Sequence, residues 1–186
     1  MFKIRYPSLA LAVAIAIGAG LATPAQARPN VSSHAAKQHS QTPSQLLFST
    51  INAMRAKKHL APFKQNGKLS RCAYKHSETM ANDGQDGTLY HDLKDDVCIA
   101  YKSAAENIGY ASGTASTAVI TMYNEMMAEG PCPSSCPAGS TLWEKHGHYL
   151  NLTSKAFTTI GIGVHTKSYQ NLGQSLTWLT EDFVQP

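Results

Sequence analysis

The run Ile160-Gly161-Ile162-Gly163-Val164-His165 constrains the chain more than any other stretch. Apolar side chains recur at every second position, the period of a β-strand, and the positions between them leave one face almost bare. A second strand, over residues 175–184, is expected to pair with it across a turn at residues 169–173. Upstream the period changes to that of a helix. Residues 44–59 place Leu47, Ile51 and Met54 on one face, with Ser44 able to cap the start. Pro62 ends that helix, because the residue before a proline is pushed out of the helical region. After the Asn66-Gly67 turn, Leu69, Cys72, Ala73, His76 and Met80 predict a helix over residues 69–82, broken by Asp83-Gly84 and Asp86-Gly87. A third helix, residues 115–129, stops at Gly130-Pro131. Residues 88–102 carry no single period. Helices first and a hairpin last predict an α+β layered domain.

The N-terminus reads as an address. Lys3 and Arg5 precede an uncharged apolar run over residues 9–22, and Ala25-Gln26-Ala27 is a small-x-small cleavage signal, so residues 1–27 are expected to be a removed secretory signal peptide. The run is shorter than the roughly 18 apolar residues of a membrane span, and no later segment is long enough, so no transmembrane segment is expected in the mature chain. Residues 28–43 are polar and read as a disordered linker, leaving residues 44–186 as the folded domain. The linker histidines His34 and His39 read as solvated. The formal charge of +4 falls to +2 without Lys3 and Arg5, too little to argue for nucleic acid or an anionic membrane. The one basic cluster, Arg55, Lys57 and Lys58, complements the dipole at a helix end.

An exported chain with four cysteines suggests two disulfides. The pairing Cys72–Cys98 and Cys132–Cys136 is favoured among the three possible, worth roughly 3.5 and roughly 2 kcal/mol by loop entropy. A four-cysteine zinc site wants two closely spaced pairs, which 72 and 98 do not provide.

Two carboxylates mark a candidate site. Glu106 lies in an apolar-flanked Glu-Asn-Ile segment. Glu125 stands one residue before Met126 on the stripe Val119, Met122, Met126. An acid beside an apolar stripe is costly to desolvate unless a cation or a hydrogen-bond donor meets it. His91 and the pair His146/His148 are the available partners. In an extended segment, His146 and His148 would share a face; His146 reads as an exposed loop residue and His76 as a packed one.

In order along the chain come Asn52-x-x-Arg55, His76-Ser77-x-x-Met80-Ala81, His91, Glu106-Asn107-Ile108, Tyr123-Asn124-Glu125, Gly147-His148-Tyr149, Phe157-x-x-Ile160-Gly161-Ile162-Gly163-Val164 and Trp178-x-x-x-x-Phe183. This series resembles the CAP superfamily of cysteine-rich secretory proteins, antigen 5 and pathogenesis-related proteins, also called the SCP domain, and it covers almost all of the mature chain. The resemblance implies a three-layer α-β-α sandwich, secretion, and a cleft holding His91, Glu106, Glu125 and His148. Tyr123 stands where the family usually has Trp, the stretch before His91 departs from the usual Phe-Ser-His pattern, and the insertion between Glu129 and Trp143 is private to this chain.

Two imidazoles and two carboxylates can hold zinc or another divalent cation, or can form a hydrogen-bonded cluster without an ion. Three functions are expected in that frame. The first is a secreted, extracellular (or periplasmic) binding module, non-catalytic, with a divalent metal in the cleft and a lipid or sterol as ligand. The second is a zinc-dependent ester or peptide hydrolase, with metal on His91, His148 and one Glu, and the other Glu as base. The third is an extracellular module that meets a cell-surface or host protein, the four residues only bracing the fold. No Gly-x-Ser-x-Gly elbow or free cysteine offers a nucleophile, and His-Glu-x-x-His is absent.

Overall fold

The computed structural model describes residues 41–83, 88–133 and 135–186. The signal-peptide reading and the linker reading up to residue 40 lie outside them. The elements run α1 (Pro43–Lys57), β1 (Lys64–Gln65), α2 (Gly67–Asp83), α3 (Leu93–Asp96), β2 (Ser103–Ser112), α4 (Ala115–Ala128), α5 (Thr141–Thr153), β3 (Thr159–Tyr169), a 3-10 turn (Gln170–Leu172) and β4 (Gln174–Gln185).

Helix α1 is capped two residues before the expected position. Thr42, not Ser44, takes the Gln45 N–H, while the Gln45 side chain takes the Thr42 N–H at 3.0 Å, and Pro43 fits the first turn because its missing N–H would have had no partner there. The predicted hairpin is present as β3 and β4, with Gly173 in the left-handed region at φ 60° to close the turn. Strand order is β1-β3-β4-β2, with β1 parallel to β3 and the other pairs antiparallel.

The bare face of β3 is where α2 docks. A Cβ on Gly161 would lie 2.5 Å from Leu69 Cγ, and one on Gly163 would lie 2.1 Å from the backbone of Ala73 and Tyr74. Helix and strand therefore touch backbone to backbone. On the opposite face Ile160, Ile162, Leu179 and Phe183 pack against Leu47, Ile51 and Met54 of α1, Val119, Met122 and Met126 of α4, and Leu152 of α5. The result is an α-β-α sandwich, with α2 on one face of the sheet, the short α3 against it, and α1, α4 and α5 on the other.

Two elements depart from the sequence reading. Strand β2 has small residues (Ala104, Ala105, Gly109, Ala111) where a strand signal would need β-branched or aromatic ones, and its pairing to β4 forms it. His146 and His148 do not lie in an extended segment but on α5, capped by Ser140, which accepts from the Trp143 N–H. Gly147, a poor helix former, is there because the Trp143 ring covers it at 3.2 Å from where a Cβ would stand. Both disulfides form as favoured. Cys72–Cys98 ties α2 to the segment before β2, and Cys132–Cys136 lies in the connection between α4 and α5.

Candidate functional site

Glu106 is the anchor of the first half of the site. Strand alternation turns it toward α2, where its side chain is fully buried. His91, largely exposed, donates its Nδ1–H to Glu106 Oε2 at 2.9 Å. A carboxylate only accepts, so Nδ1 carries the proton, and in that tautomer the lone pair lies on Nε2. His76 is packed, as its spacing suggested. Its Nε2–H donates to the Tyr90 carbonyl at 3.0 Å and lies 3.8 Å from Glu106 Oε2. Glu106 Oε1 is buried without a hydrogen-bond partner.

The second half corrects the sequence assignment. Glu125 is exposed, and the acid that meets His148 is Glu129. Glu129 Oε1 accepts the Nδ1–H of His148, and Oε2 accepts the backbone N–H groups of His148 at 3.0 Å and Tyr149 at 3.3 Å. One carboxylate thus fixes both the ring and the backbone of the histidine. The signal was present in the sequence: Val119, Met122, Met126 and Glu129 fall at i, i+3, i+7 and i+10, so Glu129 continues the buried stripe, while Glu125 lies off it. His146 caps α4, donating Nδ1–H to the carbonyls of Glu129 at 2.7 Å and Gly130 at 3.1 Å, where a helix end offers unpaired acceptors.

Strand β2 joins the two halves. Glu106 and Asn107 are consecutive and face opposite sides, Glu106 opposite Asp182 of β4 and Asn107 opposite Glu181. Asn107 Nδ2 donates to Glu181 Oε2 at 2.9 Å and to the His148 carbonyl at 3.3 Å, and Asn107 Oδ1 accepts from Asn151 Nδ2 at 2.9 Å. Asn107, expected to have a structural role, therefore holds α5 against the sheet. Glu181 is fully buried, and burial pushes its carboxyl up to about 7, opposed by the Asn107 hydrogen bond and the charge of His148. Sequence reasoning did not find it: an acid inside a strand reads as solvent-facing unless the partner on the neighbouring strand is known.

Among the described residues, no group of three or more His, Cys, Asp or Glu side chains is arranged to hold a metal ion. The expected four-residue set is thus present as two carboxylate–imidazole pairs, with Glu129 in place of Glu125. Between α1 and α4, a cavity of about 600 Å³ is lined by Thr50, Ala53, Met54, Lys57 and Lys58 of α1 and its C-cap and by Tyr123 of α4. Among the described residues no helix is long and apolar enough to cross a membrane.

The model of the cysteine-rich secretory protein family, CAP, matches residues 48–183. The chain belongs to the CAP family. Solved CAP-type structures share the fold. An extracellular protein containing an SCP domain from Bacillus anthracis superposes with a TM-score of 0.55 at 20% identity, covering 77% of this chain and 40% of that one. A cysteine-rich secretory protein from Staphylococcus aureus gives 0.51 at 18% identity, covering 81% and 40%. NaASP2, solved with Zn2+, gives 0.53 at 14% identity, covering 79% and 82%. This CAP chain therefore spans about 40% of the length of the first two. No curated protein sequence matches it.

Proposed function

We propose that this CAP domain is an exported, non-catalytic binding module whose imidazoles His91 and His148 take a divalent cation such as zinc. One observation carries the reading: each ring has its Nδ1–H held by a carboxylate, Glu106 or Glu129, which leaves Nε2 as the free donor. Metal-ligating histidines are oriented in the same way, and the carboxylate raises the basicity of the ligating nitrogen. What the residues offer a cation is imidazole nitrogen, with water left to complete its shell, and not a closed site of four protein ligands. Export agrees with the two disulfides, which persist in oxidising compartments, and with the signal-like residues 1–27. The cavity between α1 and α4, with apolar stems and two lysines at its rim, is the place for a lipid or sterol. Lipid found by mass spectrometry on the purified protein, and lost when Met54 is replaced by a charged residue, is the expected outcome there.

The hydrolase reading has less support. It needs a carboxylate free to act as base, whereas Glu106 and Glu129 are both committed to imidazole N–H groups.

Zinc titration followed by calorimetry and thermal unfolding tests the cation reading. Wild type is expected to bind and to melt higher, His148→Ala to do neither, and Glu129→Gln to bind roughly 10–100-fold more weakly, the usual cost of losing an outer-sphere partner. Glu125→Gln should match wild type. Absence of both binding and stabilisation in wild type would refute the reading and leave the module that meets a cell-surface or host protein.

A further inference from the structure

The mild formal charge of the chain hides where its cations stand. Residues 64–77 contain Lys64, Lys68, Arg71 and Lys75 and no acid, so these four match the whole-chain charge of +4 and the remainder is neutral. All four side chains are exposed. Lys64 is on β1, just before α2 begins, and the other three are on α2 itself. At about 100° per residue, Lys68, Arg71 and Lys75 fall within roughly 60° of one another, a row about 10 Å long on the side turned away from Leu69, Ala73 and Met80. The Arg71 guanidinium leans back along the row, with Nη1 3.9 Å from where a Cβ on Gly67 would stand. Among the described residues none of the four is in an ion pair. The first acid along the helix is Glu78, half-buried beyond the end of the row. Asp92 and Asp95, beside and on α3, border the other flank, where Leu93 packs on Leu69. The row is also rigidly held, because α2 is pressed against the backbone of β3 and tied by Cys72–Cys98.

We propose that the outer face of α2, together with Lys64, is a docking surface for a linear anionic polysaccharide. Charge complementarity selects the sign of the partner: four cations with no acid among them create a local potential that the net charge does not reveal. The side chains select a linear polymer over a bilayer. A membrane surface takes apolar side chains along with cations, and Tyr74 is the single large apolar side chain exposed on α2, its hydroxyl 3.1 Å from His165 Nδ1. The choice of a polysaccharide over a nucleic acid rests on the export reading above, which puts the domain among surface glycans. The surface uses neither His91 nor His148, nor the cavity between α1 and α4.

The test is the binding of labelled heparin, a linear sulfated polysaccharide, to the purified protein, followed by fluorescence anisotropy as salt is varied. Wild type is expected to bind at low salt and to weaken as salt rises, with a log–log slope of roughly −3, because each cation that meets the polymer releases a counterion. Arg71→Gln with Lys75→Gln is expected to bind roughly tenfold more weakly and to lower the size of the slope by about two. Lys145→Gln with Lys155→Gln removes the same charge from exposed positions on and after α5, and should stay within about twofold of wild type because distant charges are screened. All four substitutions are at exposed positions, so Tm should be unchanged in both variants. Equal losses in the two variants would reveal an effect of net charge alone and overturn the docking surface, as would a wild type that does not bind heparin. Tighter binding to phosphatidylglycerol vesicles or to a single-stranded oligonucleotide than to heparin would overturn the polysaccharide as occupant. Export is measured separately, by the fraction of the chain found outside the cell, so its failure is distinguishable from failure of the surface.

Discussion

Replacing Gly163 with alanine probes the contact on which the sandwich is built. The added Cβ would stand 2.1 Å from Ala73 C and Tyr74 N and 2.3 Å from Ala73 O, where ordinary contact begins near 3.4 Å. Relief requires α2 to move by roughly 1 Å, since the obstacle is backbone and no side chain can rotate away. The helix is also held in place. Ser77 Oγ donates to the Gly163 carbonyl at 3.2 Å, Ser70 Oγ accepts from Ile162 N–H at 3.2 Å, and Cys72 is in a disulfide. Overpacking costs about 1–3 kcal/mol, and a backbone obstacle belongs at the top of that range. Alanine recovers roughly 0.5–1 kcal/mol of chain entropy in a strand, so the net loss is about 2–2.5 kcal/mol. For a domain of this size that lowers Tm by roughly 5–10 °C, read by circular dichroism or calorimetry. Gly147→Ala is the control. Its Cβ meets only the edge of the Trp143 ring at 3.2 Å and gains helix propensity of about 1 kcal/mol, so its stability should stay within about 1 kcal/mol of wild type. A Gly163→Ala Tm within about 2 °C of wild type would refute direct backbone contact between α2 and β3.

Two further outcomes concern stability. Glu181 has its folded pKa raised from 4.5 to about 7, so its contribution is fully present below pH 4.5 and is lost as pH rises through 7, a swing of roughly 3 kcal/mol. Metal-free wild type should therefore lose Tm between pH 5 and 8 more steeply than Glu181→Gln; parallel profiles would count against a buried, protonated acid. Opening Cys72–Cys98 by a double serine substitution should cost about 3.5 kcal/mol and opening Cys132–Cys136 about 2 kcal/mol, measured by denaturant unfolding, and the reverse order would contradict the loop-entropy account.

What was legible in the sequence follows from how local each signal is. The β3–β4 hairpin announces itself by a two-residue period and a glycine turn, and α1, α2 and α4 by apolar stripes that each helix carries within itself. Strand β2 does not, because its small residues become a strand only through ten partners on β4. Helix α5 was hidden by Gly147, whose cost is met by a ring four residues earlier. Within the site, Glu106 and His91 were readable because the acid is framed by apolar neighbours in the chain. The choice between Glu125 and Glu129 depends on where α5 crosses the end of α4, which the connection between them decides. Glu181 was beyond reach for a related reason: its surroundings come from β2, α4 and α5, none adjacent to it in sequence.

The strand order places β4 between β3 and β2, so residues 174–185 form the interior of the sheet and not its margin. Nothing synthesised earlier can close the sheet without them, and Arg55 likewise waits for carbonyls 97 and 99 residues downstream. Such a polypeptide remains an unfinished chain until β4 has been made, and completes its tertiary structure only then. A stop codon shortly before residue 174 would accordingly remove the sheet's keystone and yield a protease-sensitive product in place of a slightly smaller domain.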